Sequence, residues 1–289
     1  RDRSFNNIWI QPASGDAGGA LGGALAVWHK ELNNSRKVNS SDAMEGSYLG
    51  PSYEQNFIEK ELLSCGGRFE SVDEDKMIER TAQALADGKA VGWFQGRMEF
   101  GPRSLGGRSI LGDPQSEHMQ KILNLKVKYR ESFRPFAPSV LSEDTAKWFD
   151  LEGDSPYMLI VSNVKKDKRI EMTREQESLF GIDKLNIKRS TIPAVTHVDY
   201  SARIQTVHKE TNPKYHALIT AFKEKTDCPV VVNTSFNVRG EPIVCTPKDA
   251  FKCFMGTELD VLVVGNCILK KEQQDKILSE DYKGRYELD

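Results

Sequence analysis

Asn212-Pro213 opens a run that reaches Lys225. It is followed by Cys228-Pro-Val-Val-Val-Asn233, then Thr246-Pro247, then Leu259-Asp-Val-Leu-Val-Val264. Asn-Pro and Thr-Pro are helix caps followed by proline at the first helical position, where the missing N–H costs nothing. The two valine-rich runs are short and apolar on every residue, as strands covered on both faces are. Helix, strand, helix, strand in this order predicts an α/β or α+β architecture.

Reading outward, Ala90-Val-Gly-Trp-Phe94 is another buried strand. A helix precedes it. Ser71 to Glu74 matches a capping box, Met77, Ile78, Ala82 and Leu85 share a face, and Gly88 ends it. Further helices are expected at about 54–64 and from Ser116 to about Leu125, and a strand from Tyr157 to Val164. Lys165 to Arg189 is densely charged and reads as a surface excursion. Near the start, Asn7–Ile10 reads as a strand, Pro12–Ala20 as a small-residue turn and the following residues as an apolar helix to about Leu32. Asn33 to Tyr53, rich in Ser, Asn and Gly, reads as a linker. The chain begins with Arg1 in a segment that already reads as the middle of a domain.

The 289 residues suffice for one or two domains with a sizeable core. With 40 Lys and Arg against 42 Asp and Glu, the net charge of −2 argues against a globally basic nucleic-acid binder. The longest small-and-apolar run, Ala17 to Trp28, is too short to span a bilayer, and no secretory signal is visible. Cys65, Cys228, Cys245, Cys253 and Cys267 form no Cys-x-x-Cys pair, which suits reduced thiols in a cytoplasmic protein.

Four segments carry chemistry. Gly92–Gly112 holds Arg97, Arg103 and Arg108 among glycines after a strand. It reads either as a phosphate cradle or as a long surface hairpin with solvated arginines. Lys126-Val-Lys128-Tyr-Arg130, if extended, puts three cations on one face, as an anion site or a cation-guarded edge strand would. From Gly92 to Val140 there are eight Lys and Arg against four Asp and Glu, so basic charge is concentrated here. Asn233, Ser235 and Asn237 alternate just past Val230–Val232, at the strand end where α/β folds place ligands. His197, Asp199 and Arg203 could serve acid–base or phosphate roles, or none.

These stretches together resemble the O-carbamoyltransferases, the family of the nodulation-factor, cephamycin and tobramycin enzymes. The resemblance rests on residues 92–111, 128–138, 197–207 and 233–244, in that order. It implies an actin-like (Kae1-like) N-terminal domain carrying iron and the acceptor alcohol, then a YrdC-like open twisted sheet around a basic cavity. The latter would convert carbamoyl phosphate and ATP, with magnesium, into carbamoyl adenylate. This chain would be the C-terminal portion: 1–50 the remnant of the actin-like domain plus linker, and 51–289 the YrdC-like domain. By the same resemblance Lys128, Arg130 and Arg103 are catalytic, and Arg134, Arg203, Asn233, Ser235 and Asn237 bind carbamoyl phosphate and ATP. Asp16 resembles a metal-ligand aspartate. No His-x-x-x-His accompanies it, so this chain should not hold the iron alone or complete transfer. The sequence departs from the family at Tyr200, where glycine is frequent, and carries a longer charged insertion near 165–189. Two rivals are a threonylcarbamoyl-adenylate synthase and a non-catalytic nucleotide- or RNA-binding module. Neither membrane nor nucleic acid is expected, and a homodimer stays open.

Overall fold

The computed structural model describes residues 8–38, 42–132, 134–185, 187–278 and 282. Among these, nine strands form one open mixed sheet in the order β1-β9-β8-β2-β3-β7-β4-β6-β5. They are β1 (Glu70–Ser71), β2 (Val91–Phe94), β3 (Arg108–Gly112), β4 (Ala137–Leu141), β5 (Ile160–Asn163), β6 (Ser201–Val207), β7 (Val230–Ser235), β8 (Val261–Val264) and β9 (Cys267–Lys270). The β2/β8 and β4/β6 pairs are parallel and the others antiparallel. The expected α/β class is present.

The α-helices are α1 (Asp16–Ala26), α2 (Gln55–Ser64), α3 (Glu74–Ala86), α4 (Met119–Ile122), α5 (Thr145–Trp148), α6 (Arg174–Glu177), α7 (Gly181–Leu185), α8 (Pro213–Thr226) and α9 (Pro247–Gly256). Helices α3 and α8 pack together over β2, β4 and β7, and α2 and α9 pack together over β2 and β8. Every residue of β2, β3 and β4 is therefore buried, and the edge strand β5 is not. The Asn212 and Thr246 caps form as the sequence predicts, each side chain accepting the N–H three residues on.

Three local readings change. Asp73, not Ser71, caps α3, because Ser71 pairs with Cys267 at the sheet edge. Ile8–Ile10 are exposed and form no strand, and Asn7 lies outside the described residues. Lys126–Arg130 is not extended. Leu123–Val127 winds as a π-turn and Tyr129 takes a positive φ of 48°. The cause is Asn124, fully buried, whose amide donates to the carbonyls of Ser132 and Arg134 and accepts Arg130 Nε at 2.7 Å. The chain coils around that amide instead of running straight, so the period-two face does not exist.

Within 33–53, Met44 is buried with Leu105, Ala137, Tyr157 and Met158. Ser47 exchanges bonds with the Phe100 backbone. The end of the polar stretch is thus packed onto the sheet domain.

Candidate anion-binding site

Lys128, Arg130, Arg134, Ser235 and Asn237 line one cavity of about 420 Å³, together with residues 238–242. Helical coiling brings Lys128 and Arg130 to it from one side. The end of β7 supplies Ser235 and Asn237 from the other. Lys128 is 3% exposed. Its ammonium donates to the Ser235 carbonyl and, at 2.8 Å each, to the Asn237 carbonyl and Asn237 Oδ1, with Ser235 Oγ at 3.2 Å. All three of its protons thus have protein acceptors. Lys128 holds the Ser235–Asn237 turn rather than reaching out of it.

Burial, reinforced by Arg130, pulls the Lys128 ammonium down to about 7. Burial likewise pulls Arg130 down to about 10, with Arg134 and Arg239 adding repulsion. Glu131 offsets part of this charge, 3.3 Å from Arg134 and 3.5 Å from Arg239. Among the described residues no carboxylate lies within ion-pair distance of Arg130. Four cations and two acids, Glu131 and Glu241, leave the cavity with surplus positive charge. Lys126, the third cation of the expected face, instead pairs with Glu258 at 3.1 Å on the surface.

Arg103, Arg203 and Asn233 do not line this cavity. Arg103 and Arg203 form a second positive group. Burial lowers the Arg203 guanidinium and the neighbouring Arg103 lowers it further. The Nε atoms of both arginines, and Ser104 Oγ, are buried without a hydrogen-bond partner.

Asn233 is 1% exposed. Its amide donates to the Ser104 carbonyl, Ser139 Oγ and Gln205 Oε1 at 2.9–3.1 Å. It is a buried tie between the glycine-rich loop and strands β4, β6 and β7. Asn233→Leu leaves the Ser104 carbonyl without this donor and takes one bond each from Ser139 and Gln205, which still pair with each other, and should cost about 1–3 kcal/mol of stability. Urea unfolding measures this, and an unchanged midpoint contradicts the assignment.

The three arginines of Gly92–Gly112 serve different ends. Arg97 is exposed beside the Leu49 carbonyl. Arg108 is 0% exposed and is no ligand for a phosphate. Its guanidinium donates to the carbonyls of Pro51, Gln95, Gly96 and Gly107 and stacks 3.5 Å from the Phe94 ring centroid.

In the His197 turn, Ser201 Oγ donates to Asp199 Oδ1 at 2.6 Å and lies 3.0 Å from His197 Nδ1. Burial lowers the His197 pKa. Tyr200 in this turn has φ 62°, a left-handed conformation that glycine takes without the steric cost a side chain adds. Asp16 is exposed in the first turn of α1. Among the described residues, no group of three His, Cys, Asp or Glu is placed to hold a metal ion. No described helix is long and apolar enough to cross a membrane.

The chain is thus a mixed α/β protein with a basic cavity at a strand end. Residues 82–271 match the family model of the carbamoyltransferase C-terminus, and the chain belongs to that family, as its C-terminal portion. It is 57% identical over its whole length to an uncharacterized protein of Synechocystis, covering 48% of that protein. It is 42% identical over 94% of its length to nodulation protein NolNO of Sinorhizobium fredii, covering 37%. It is 31% identical over 91% of its length to the 3'-hydroxymethylcephem-O-carbamoyltransferase of Streptomyces clavuligerus, covering 43%. The chain thus spans less than half the length of the curated relatives it matches. A solved HypF structure superposes with a TM-score of 0.43 and 18% identity, over 71% of this chain and 23% of that one, too low to carry an argument.

Proposed function

We propose that this portion binds carbamoyl phosphate and ATP and forms carbamoyl adenylate, for transfer to an alcohol by the upstream part of a longer carbamoyltransferase. The observation that carries this reading is the paired placement of Lys128–Arg130 and Ser235–Asn237 around one positively charged cavity. Carbamoyl adenylate forms when water cleaves carbamoyl phosphate to carbamate and phosphate, and a carbamate oxygen then attacks the α-phosphorus of ATP as pyrophosphate leaves. Cations lining the cavity stabilise the charge that builds on both leaving groups.

In this reading Arg130 and Arg134 face phosphate oxygens, and Arg103 and Arg203 hold a second anionic group. Lys128 fixes the Ser235–Asn237 turn, whose hydroxyl and amide suit the carbamoyl group. Magnesium travels with ATP. Residues 1–50 read as the end of an actin-like domain. In support, α1 buries none of its residues, and Leu25, Val27, Trp28 and Leu32 stand exposed, as they would where a further domain covers them. The family membership favours this reading over threonylcarbamoyl-adenylate synthesis.

A charge-assisted bond to phosphate contributes about 1.5–3 kcal/mol. Arg130→Ala should therefore weaken carbamoyl phosphate at least tenfold in isothermal titration. An unchanged dissociation constant sinks the assignment of this cavity.

A further inference from the structure

Glu99 sits in the glycine- and arginine-rich loop, 7% exposed. One carboxylate oxygen, Oε1, accepts the N–H of Leu105 at 2.6 Å, of Gly107 at 2.7 Å and of Arg108 at 3.3 Å. The opposite side of the same backbone is held by other side chains. The Ser104 carbonyl takes Asn233 Nδ2 at 3.1 Å. The Leu105 carbonyl takes Tyr48 Oη–H at 2.7 Å and Gln205 Nε2 at 2.8 Å. The Gly106 carbonyl takes Trp93 Nε1 at 2.9 Å, and the Gly106 N–H donates to Ser109 Oγ at 3.0 Å.

A buried loop outside any helix or ladder must satisfy its backbone some other way. Here side chains do so, and Glu99 supplies the acceptor for three donors.

The two residues at the start of this braced segment are Arg103 and Ser104. Arg103 Nε, Ser104 Oγ and Arg203 Nε are buried and unpartnered. Arg103 and Arg203 repel each other. A loop free to relax would carry Arg103 away from Arg203 and into water. The bracing opposes that relaxation.

We propose that Glu99 is a positioning residue, whose carboxylate fixes the Ser104–Arg108 backbone and thereby holds Arg103 and Ser104 against Arg203 around an anionic ligand. This rests on the reading under Proposed function only for the identity of the anion.

The test is a double-mutant cycle on the full chain. Inorganic pyrophosphate and, separately, carbamoyl phosphate are titrated into wild type, Glu99→Ala, Glu99→Gln, Arg103→Ala and both double variants. Amide hydrogen exchange is followed on the same samples. In Glu99→Ala the Leu105 and Gly107 amides should lose protection. Pyrophosphate affinity should fall at least tenfold in the wild-type background and less than twofold in the Arg103→Ala background.

Glu99→Gln keeps an acceptor oxygen but loses the charge that strengthens its bonds, so pyrophosphate affinity should fall about three- to tenfold in the wild-type background and less than twofold in the Arg103→Ala background. If Glu99→Ala does not fold, the glutamine cycle decides. A loss that disappears in the Arg103→Ala background supports the proposal. Equal losses in both backgrounds, or unchanged affinity and protection, overturn it. Wild type that binds pyrophosphate but not carbamoyl phosphate refutes the substrate reading while the cycle still scores Glu99. Wild type that binds neither overturns both.

Discussion

Lys128→Met is expected to leave the chain folded while pyrophosphate release from ATP and carbamoyl phosphate falls at least a hundredfold. Two opposing energies set the stability. Removing the ammonium takes the Lys128 donor from the Asn237 carbonyl, from the Ser235 carbonyl, which keeps the Asn237 N–H, and from Asn237 Oδ1, which keeps the Ser235 hydroxyl, at a cost of about 2–5 kcal/mol. It also removes a buried charge. A lysine held at about 7, against about 10.4 when unfolded, carries a burial cost of about 4–5 kcal/mol at low pH. The two nearly cancel, as replacements of buried ions by apolar groups of similar volume often do. Function has no such cancellation, because the turn carrying Ser235 and Asn237 loses its anchor.

The pH dependence has opposite signs for stability and for activity. Between about 7 and about 10.4 the unfolded chain holds a proton that folded Lys128 has shed, so this residue makes stability rise with pH across that window. Below the window the full burial cost is present. Activity needs the ammonium to hold three oxygens, so it should fall as pH rises through about 7. Chemical unfolding and pyrophosphate release, each followed from pH 6 to about 10, should both lose these slopes in Lys128→Met. A wild-type activity limb that survives the substitution refutes the role.

Arg108→Met is expected to destabilise the chain by about 3–5 kcal/mol. The Gln95 and Gly96 carbonyls lose the guanidinium donor, the Pro51 and Gly107 carbonyls lose one of two donors, keeping the N–H of Met98 and of Gln95, and the Phe94 ring loses the guanidinium stacked on it. Burial already lowers this arginine to about 10, and Glu99 is the largest opposing influence. Cancellation as complete as at Lys128 is not expected, because methionine spans neither the width of the guanidinium nor its contact with the ring. Thermal and urea unfolding measure the loss. At low temperature, where the variant is folded, pyrophosphate should bind as tightly as it does to wild type. A variant with wild-type stability and weakened anion binding would return Arg108 to the phosphate cradle.

Much of the framework was legible. The Asn212 and Thr246 caps marked α8 and α9 because capping uses a side chain and a backbone donor three residues apart. The valine runs marked β7 and β8 because strands covered on both faces are apolar throughout. Strands β3 and β4 were not legible. The first begins with charged Arg108, and the second contains Pro138, which ordinarily argues against an interior strand. The ladder of β4 with β6 is recorded only from Ser139 onward, past the proline.

Sequence, through the family resemblance, named Lys128, Arg130, Arg134, Arg103, Arg203, Asn233, Ser235 and Asn237 as one group, and the structure divides them, with Lys128, Arg130, Arg134, Ser235 and Asn237 on one cavity and Arg103 beside Arg203. Their motifs name them one by one, whatever shape the intervening chain takes. Only the tertiary structure decided what each does. Arg103 and Arg108 stand five residues apart in one glycine-rich motif. Both leave a buried Nε without a partner, but Arg103 neighbours Arg203, whereas the terminal nitrogens of Arg108 are spent on four carbonyls. Glu99 and Asn124 showed at most as a lone acid among arginines and a lone amide between leucines. The physical reason is common to all four. Irregular buried backbone is satisfied by side chains from distant segments, and such partners follow no period that a linear reading can detect.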